Sequence, residues 1–124
     1  QVAAIEALEG PHDHLKYMVE QYRLRRDYVM RRISEIPGLS CHAPAGTFYA
    51  FIDISQLGMP CEEFALKLLE ERQVVVVPGT AFGEFGEGYI RLSYATSMQC
   101  LEQGLQELEE FVRSHKTEGA PARV

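Results

Sequence analysis

No apolar run in this sequence approaches the roughly 20 residues that cross a bilayer, and no charged-then-apolar start resembles a secretory signal. Membrane insertion and export have no basis in the residues, and a soluble, cytoplasmic protein is expected. Cysteine is scarce. Cys41, Cys61 and Cys100 are odd in number, widely spaced and form no C-x-x-C pair, which fits reduced thiols packed as small hydrophobes better than a disulfide framework. Positive charge is also in deficit: 12 basic against 18 acidic side chains give a net charge of -6, which disfavours a phosphate-backbone partner. The usual catalytic signatures are missing too. Without G-x-S-x-G, or a serine or cysteine beside an evident base, nucleophilic hydrolysis is unsupported. Without G-K-S/T there is no phosphate-binding lysine loop. The pair His12 and His14 has no third clustered ligand, so no metal site is expected.

What remains suits one globular unit, since 124 residues of which 46% are hydrophobic can bury a single core. Val2, Ile5 and Leu8 recur at helical spacing and Gly10-Pro11 ends that piece. A longer stripe follows through Leu15, Met18, Val19, Tyr22, Val29, Ile33 and Ile36, with Asp13 as its expected cap and Pro37-Gly38 as its stop. Arg23, Arg25, Arg26, Arg31 and Arg32 lie along it, but Glu20, Asp27 and Glu35 sit three or four positions from arginines of this set and are expected to pair with them on an ordinary helix surface. Thr47 to Ile54, "TFYAFIDI", reads as a strand with both faces largely buried, and Pro60 opens a helix burying Phe64, Ala65, Leu68 and Leu69. Val74 to Val77 form a brief strand, expected to lie parallel to the Thr47 strand. Tyr89 to Ala95 form another, and Thr96-Ser97 with Gln99 signals the cap of a last helix carrying Leu101, Leu105, Leu108, Phe111 and Val112. The fold class is therefore α+β, a small mixed or antiparallel sheet packed against helices.

Two features interrupt that plain architecture. The loop from Pro78 to Gly88 holds Gly79, Gly83, Gly86 and Gly88 and leads into a strand rather than a helix, so turn geometry explains it better than phosphate binding. At about ten residues it nevertheless exceeds the common length of about 2–6, as functional loops often do. Arg91 is the second feature. It alternates with Ile90, Leu92 and Tyr94, so its guanidinium leaves the less apolar side of the strand. Such an arginine lies on a solvated face, joins a structural ion pair, or meets an anionic ligand. Pattern alone favours the first two, because arginine is seldom fully buried.

Three separated stretches narrow this choice. "QVAAIEALEGP", "AGTFYAFIDIS" and "LLEERQVVVVPGTAFGEFGEGYIRLSYATS" together resemble the carboxy-terminal part of class I pyridoxal-phosphate-dependent aminotransferases of fold type I, the group that includes bacterial aspartate aminotransferases. The resemblance covers Gln1 to about His115. It implies an aminotransferase small-domain fold, in which Arg91 of the R-L-S-Y-A strand binds the α-carboxylate of an amino acid or 2-oxo acid, and Phe48 or Tyr49 lines the cleft. It also implies a homodimeric parent enzyme with pyridoxal 5'-phosphate bound as a Schiff base to a lysine. The lysines here, Lys16, Lys67 and Lys116, stand in no motif like that one.

Residues 1–12 are accordingly expected to be the end of a truncated helix and linker from a large domain not included in the chain, 13–115 the small domain, and 116–124 a flexible tail. The expected role is the substrate-carboxylate-binding part of an aminotransferase, with no catalytic residue, no bound cofactor and no transaminase activity of its own. The competing expectation is a stand-alone, non-catalytic binding or scaffold module.

Overall fold

The computed structural model describes residues 1–115, so the expected tail at 116–124 lies outside the described residues. The first helix, α1, covers Val2–Glu9 and buries none of its side chains. The second, α2, runs from Asp13–Glu35. Its end follows the chemistry of the sequence: Ile36, the residue before proline, is extended, and Gly38 takes the left-handed φ of 94° that turns the chain back. Its start differs from expectation. His12 holds the cap position without a side-chain bond, and Asp13 is the first helical residue, reaching Lys16 at 3.5 Å. Two arginines pair at the expected spacing, Arg23 with Glu20 at 3.6 Å and Arg32 with Glu35 at 2.9 Å, whereas Asp27 pairs instead with its neighbour Arg26 at 2.8 Å.

Among the described residues the sheet has four strands: β1 (Ser40–Cys41), β2 (Tyr49–Asp53), β3 (Val77–Pro78) and β4 (Tyr89–Ser93). They lie in the order β1-β2-β4-β3, and every pairing is antiparallel. Because β2 and β3 each run antiparallel to β4, they are parallel to one another but separated by it. The valine strand is much shorter than its run of four, since only Val77 and Pro78 meet β4, while Val75 is 72% exposed. β1 was not expected. Its two residues pair with Asp53 and Ile52.

Helices α3 (Cys61–Arg72) and α4 (Met98–His115) complete the order. Pro60 precedes α3 as its cap rather than occupying its first turn. Cys61, Phe64, Ala65 and Leu68 point inward, whereas Leu69 is 44% exposed, one position round from the buried arc. Ser97 caps α4, its hydroxyl accepting from the Cys100 N–H at 3.2 Å; this is the single-residue form of the cap, without the expected contribution from Gln99. Leu101, Leu105, Leu108, Phe111 and Val112 are all buried.

One face of the sheet closes the core. Ala50 and Ile52 of β2 stand opposite Leu92 and Ile90 of β4, and these four pack with Val29 and Ile33 of α2, Phe64 and Leu68 of α3 and Leu105 and Leu108 of α4. Each large aliphatic side chain so buried contributes about 1.5–3 kcal/mol. Phe64 meets Phe111 edge-on at 5.1 Å, locking α3 to α4. Polar ties edge the helical layer: Arg32 reaches Glu109 at 2.8 Å, and Arg72 reaches Glu107 at 3.3 Å and Glu110 at 2.9 Å. The opposite face was expected to be covered as well, and among the described residues it is not. Tyr49, Phe51, Asp53, Tyr89, Arg91 and Ser93 point from it, and none is buried. All three helices with buried side chains share the single core on the inner face, which leaves the outer face to the site.

Candidate functional site on the open face of the sheet

Arg91 occupies the middle of this outer face. Its strand is flanked on both sides, with Phe51 of β2 directly opposite and Val77 of β3 on the other edge. Paired residues of an antiparallel ladder project on the same side. Arg91 therefore projects on the side of the sheet shared with Phe51 and Val77, and the residue is half-buried.

Its charge is met by rings. The guanidinium carbon lies 4.1 Å from the Tyr49 ring centroid and 4.6 Å from that of Phe82, both within cation–π range. Among the described residues, no carboxylate pairs with it and no group hydrogen-bonds its guanidinium. The structural ion pair that the pattern alone favoured is thus absent from the described residues. Rings that lie over the faces of a guanidinium leave its in-plane N–H donors free. The arrangement leaves a fork suited to a planar anion such as a carboxylate.

Phe82 comes from the glycine loop, and the loop's fold explains its position. The segments Gly79–Phe82 and Glu84–Gly86 are short 3-10 turns joined at Gly83, whose φ of 133° is a glycine conformation. Gly79 and Gly86 cross with their backbones in contact, so a β-carbon on either would fall on the other's carbonyl. The far end of the loop is pinned to α3. A Glu87 carboxylate oxygen accepts from the Cys61 N–H at 2.9 Å, and its partner oxygen accepts from the Cys61 thiol at 3.4 Å. These bonds, the backbone one foremost, hold the Glu87 carboxyl below the usual carboxylate range. Thr80 adds a bond to Glu62 at 2.8 Å.

Of the two aromatic residues expected at the cleft, the structure brings Tyr49 to Arg91 and turns Phe48 elsewhere. Phe48, 39% exposed, packs on Tyr22 at 6.0 Å and lines a groove of about 320 Å³ with Val19, Arg26, Pro44, Thr47 and Tyr94. The two rings still touch, with centroids 4.4 Å apart. Tyr94 is buried and donates its hydroxyl to the Thr47 carbonyl at 3.0 Å, which fixes the turn ahead of β2. Phe82 was not foreseen as a site residue, and the one signal pointing toward it was the loop's length.

The remaining candidates lie apart from this face. Cys61 alone is buried as expected; Cys41 is half-buried and Cys100 exposed, and all three are free thiols. Burial pushes the Cys41 thiol up, whereas the hydroxyls of Ser97 and Thr96 draw the Cys100 thiol down. His12 hydrogen-bonds the Ala7 carbonyl at 3.2 Å, and among the described residues no group of three potential ligands could hold a metal ion. A pyridoxal cofactor needs a lysine for its aldehyde, an acid for its ring nitrogen and a phosphate cradle. Lys16 and Lys67 lie on helix surfaces beside Asp13 and Glu63, and the glycine loop meets α3 through a carboxylate rather than a phosphate-binding nest. The described residues do not fit that group. No described helix is long and apolar enough to cross a membrane.

Known proteins resemble the chain along most of its length. It is 42% identical to an aspartate aminotransferase of Pyrococcus horikoshii, matched over 94% of this chain and 30% of that protein. It is 40% identical to aromatic-amino-acid aminotransferase 2 of Thermococcus litoralis, again over 94% of this chain and 30% of the relative. Among solved structures, an alanine aminotransferase from Pyrococcus furiosus superposes with a TM-score of 0.86 at 38% identity, covering 90% of this chain and 29% of that one. The chain thus spans about 30% of the length of these relatives. The family description "Aminotransferase class I and II" matches residues 1–108, and the chain belongs to that family.

Proposed function

We propose that this chain is the carboxy-terminal, substrate-carboxylate-binding part of a longer pyridoxal-phosphate-dependent aminotransferase, which moves an amino group between an amino acid and a 2-oxo acid. Arg91 is the residue assigned to the substrate's α-carboxylate. The observation that carries this reading is a half-buried arginine at the centre of an open sheet face, its guanidinium against two rings and without an anionic partner among the described residues. A cation so placed and unneutralised favours an anion entering from solvent.

The names of the relatives support a shared rather than a side-chain-specific ligand. Aspartate, alanine and aromatic amino acids differ beyond the α-carbon and agree only in the groups around it. An arginine fork takes the α-carboxylate of each in the same way, and of the corresponding 2-oxo acids. Fixing that group orients the rest of the substrate, so this chain's contribution is positional. The cofactor supplies the electron sink and, with its lysine, belongs to the remainder of the parent protein, which is assigned a homodimeric, cytoplasmic form. The chain alone is assigned no transaminase activity.

The test is Arg91→Ala in the full-length protein, with KM measured for both an amino acid and a 2-oxo acid. Both should rise together. Unchanged values for both would remove Arg91 from the site, whereas a parent protein without transaminase activity would leave a non-catalytic binding module as the better reading of the chain.

A further inference from the structure

Phe82 is 51% exposed, and the glycine loop carries it over the outer face of the sheet, where its ring lies against named partners. Its neighbours are Phe51, whose ring it meets edge-on at 6.1 Å, and the Arg91 guanidinium at 4.6 Å. Phe51 is itself held by a parallel stack on Tyr89 at 5.0 Å and 10°. Phe82 therefore ends an aromatic row that runs across the outer face to the arginine. Tyr49, the other ring on the guanidinium, is built into β2, so strand geometry fixes it. Phe82 is carried by a loop, and the Gly79–Gly86 crossing together with the Glu87 pin to α3 determines where it sits.

A free arginine on an open surface samples many rotamers and loses that freedom when it binds an anion. Rings against its faces remove part of that freedom beforehand without occupying its donors. A carboxylate partner would also order the side chain, but would compete for the same N–H groups the ligand needs. Aromatic contacts are the way to hold the ion and keep its edge available.

We propose that Phe82 is a positioning residue for Arg91: with Tyr49 it holds the guanidinium by its faces, so that an ordered N–H edge meets the substrate carboxylate. This rests on the assignment of Arg91 to the α-carboxylate, and it adds a residue of the glycine loop to that site.

The experiment uses the full-length protein with Phe82 replaced by phenylalanines of increasing ring fluorination, which keep the shape of the ring and strip negative potential from its face. Propionate serves as the probe carboxylate, its dissociation constant measured by titration calorimetry in every variant and, where Arg91 is present, matched to the shift of the Arg91 Nε–H resonance, which is assigned by its disappearance in Arg91→Lys. The dissociation constant should climb steadily through the series, by about three- to fivefold at the most fluorinated ring, the range expected for a partly exposed cation–π contact. KM for amino acid and 2-oxo acid should follow it while kcat changes less than about twofold. Phe82→Tyr should restore binding and Phe82→Leu should not. A flat series, with propionate binding lost in Arg91→Ala, overturns the role of Phe82 and leaves Arg91 in place. Propionate binding that survives Arg91→Ala overturns both.

Discussion

The guanidinium of Arg91 stands 4.1 Å over the ring of Tyr49, across the β2–β4 pair and diagonal to the register, in which Arg91 faces Phe51 and Tyr49 faces Ser93. Diagonal neighbours on one face of a sheet are separated by about 7–8 Å at the backbone, a gap that an arginine and a tyrosine can bridge and shorter side chains cannot. Both residues are anchored in strands whose inner faces hold Ile52, Ile90 and Leu92, so the core fixes the geometry of the site from behind. Stability and binding geometry are consequently coupled through β4.

The fork predicts what lysine cannot do. Arg91→Lys keeps a positive charge at the same place but replaces the planar pair of donors by a compact ammonium. Losing one charge-assisted hydrogen bond, worth about 1.5–3 kcal/mol, lowers kcat/KM by roughly one to two orders of magnitude. Steady-state kinetics of the full-length protein with both an amino acid and a 2-oxo acid should show the loss for each. A defect confined to substrates with one kind of side chain would contradict a carboxylate role.

Two glycines predict opposite outcomes, a steric cost at Gly79 in the loop and none at Gly46 ahead of β2. A β-carbon on Gly79 would overlap the Gly86 carbonyl, so Gly79→Ala forces the two 3-10 turns apart. Overpacking of this kind costs about 1–3 kcal/mol. No atom lies within 4 Å of the place a β-carbon on Gly46 would take, and Gly46→Ala should stay within about 0.5 kcal/mol of the parent. Urea unfolding followed by circular dichroism separates the two, and equal midpoints would refute the backbone crossing.

Periodicity made much of this architecture legible, and it failed where tertiary pairing decides. The α4 stripe from Leu101 to Val112 and the alternation in β4 are local patterns, and both appear in the structure. The valine run looked like a strand because β-branched residues favour one, yet only the two residues that find hydrogen-bond partners on β4 form it. The reverse holds for β1, whose Ser40 and Cys41 have little strand character and pair because β2 lies beside them. For the site, alternation alone placed Arg91 on the less apolar face. Phe82 sits nine residues earlier in a loop of glycines, and no periodicity relates it to Arg91; the contact exists only once Gly79 and Gly86 cross.

The turn into β2 predicts opposite outcomes for two neighbouring substitutions. Thr47 has a φ of 68°, a left-handed conformation that is costly for a β-branched residue. Its carbonyl is held by the buried Tyr94 hydroxyl. Tyr94→Phe removes that donor and should cost about 0.5–1.5 kcal/mol. Thr47→Gly relieves strain of about 1–3 kcal/mol against a gain in unfolded-chain freedom of about 0.4–1 kcal/mol, so it should be neutral or stabilising. Denaturant melts of the two variants test this, and a Thr47→Gly variant less stable than Tyr94→Phe would argue against the strained turn.

Glu87 gives the loop a dependence on pH with a definite sign. Its carboxylate accepts from the Cys61 N–H at the start of α3, where the helix dipole also favours negative charge, and this holds the carboxyl below its ordinary range. A group whose folded pKa is lowered stabilises the fold fully above its unfolded value, about 4.3 for glutamate, and loses that contribution as pH falls through the lower folded value. Glu87→Gln keeps a neutral acceptor but cannot carry the charge. The variant should therefore be less stable than the parent at neutral pH by an amount that is constant down to about pH 5, and that shrinks below it as the parent's carboxylate is protonated. Thermal unfolding of both chains across this range, at one ionic strength, shows whether the curves converge on acidification. Parallel curves would mean that the charge at Glu87 makes no differential contact in the folded state, and the pin that sets Phe82 beside Arg91 would lose its electrostatic half.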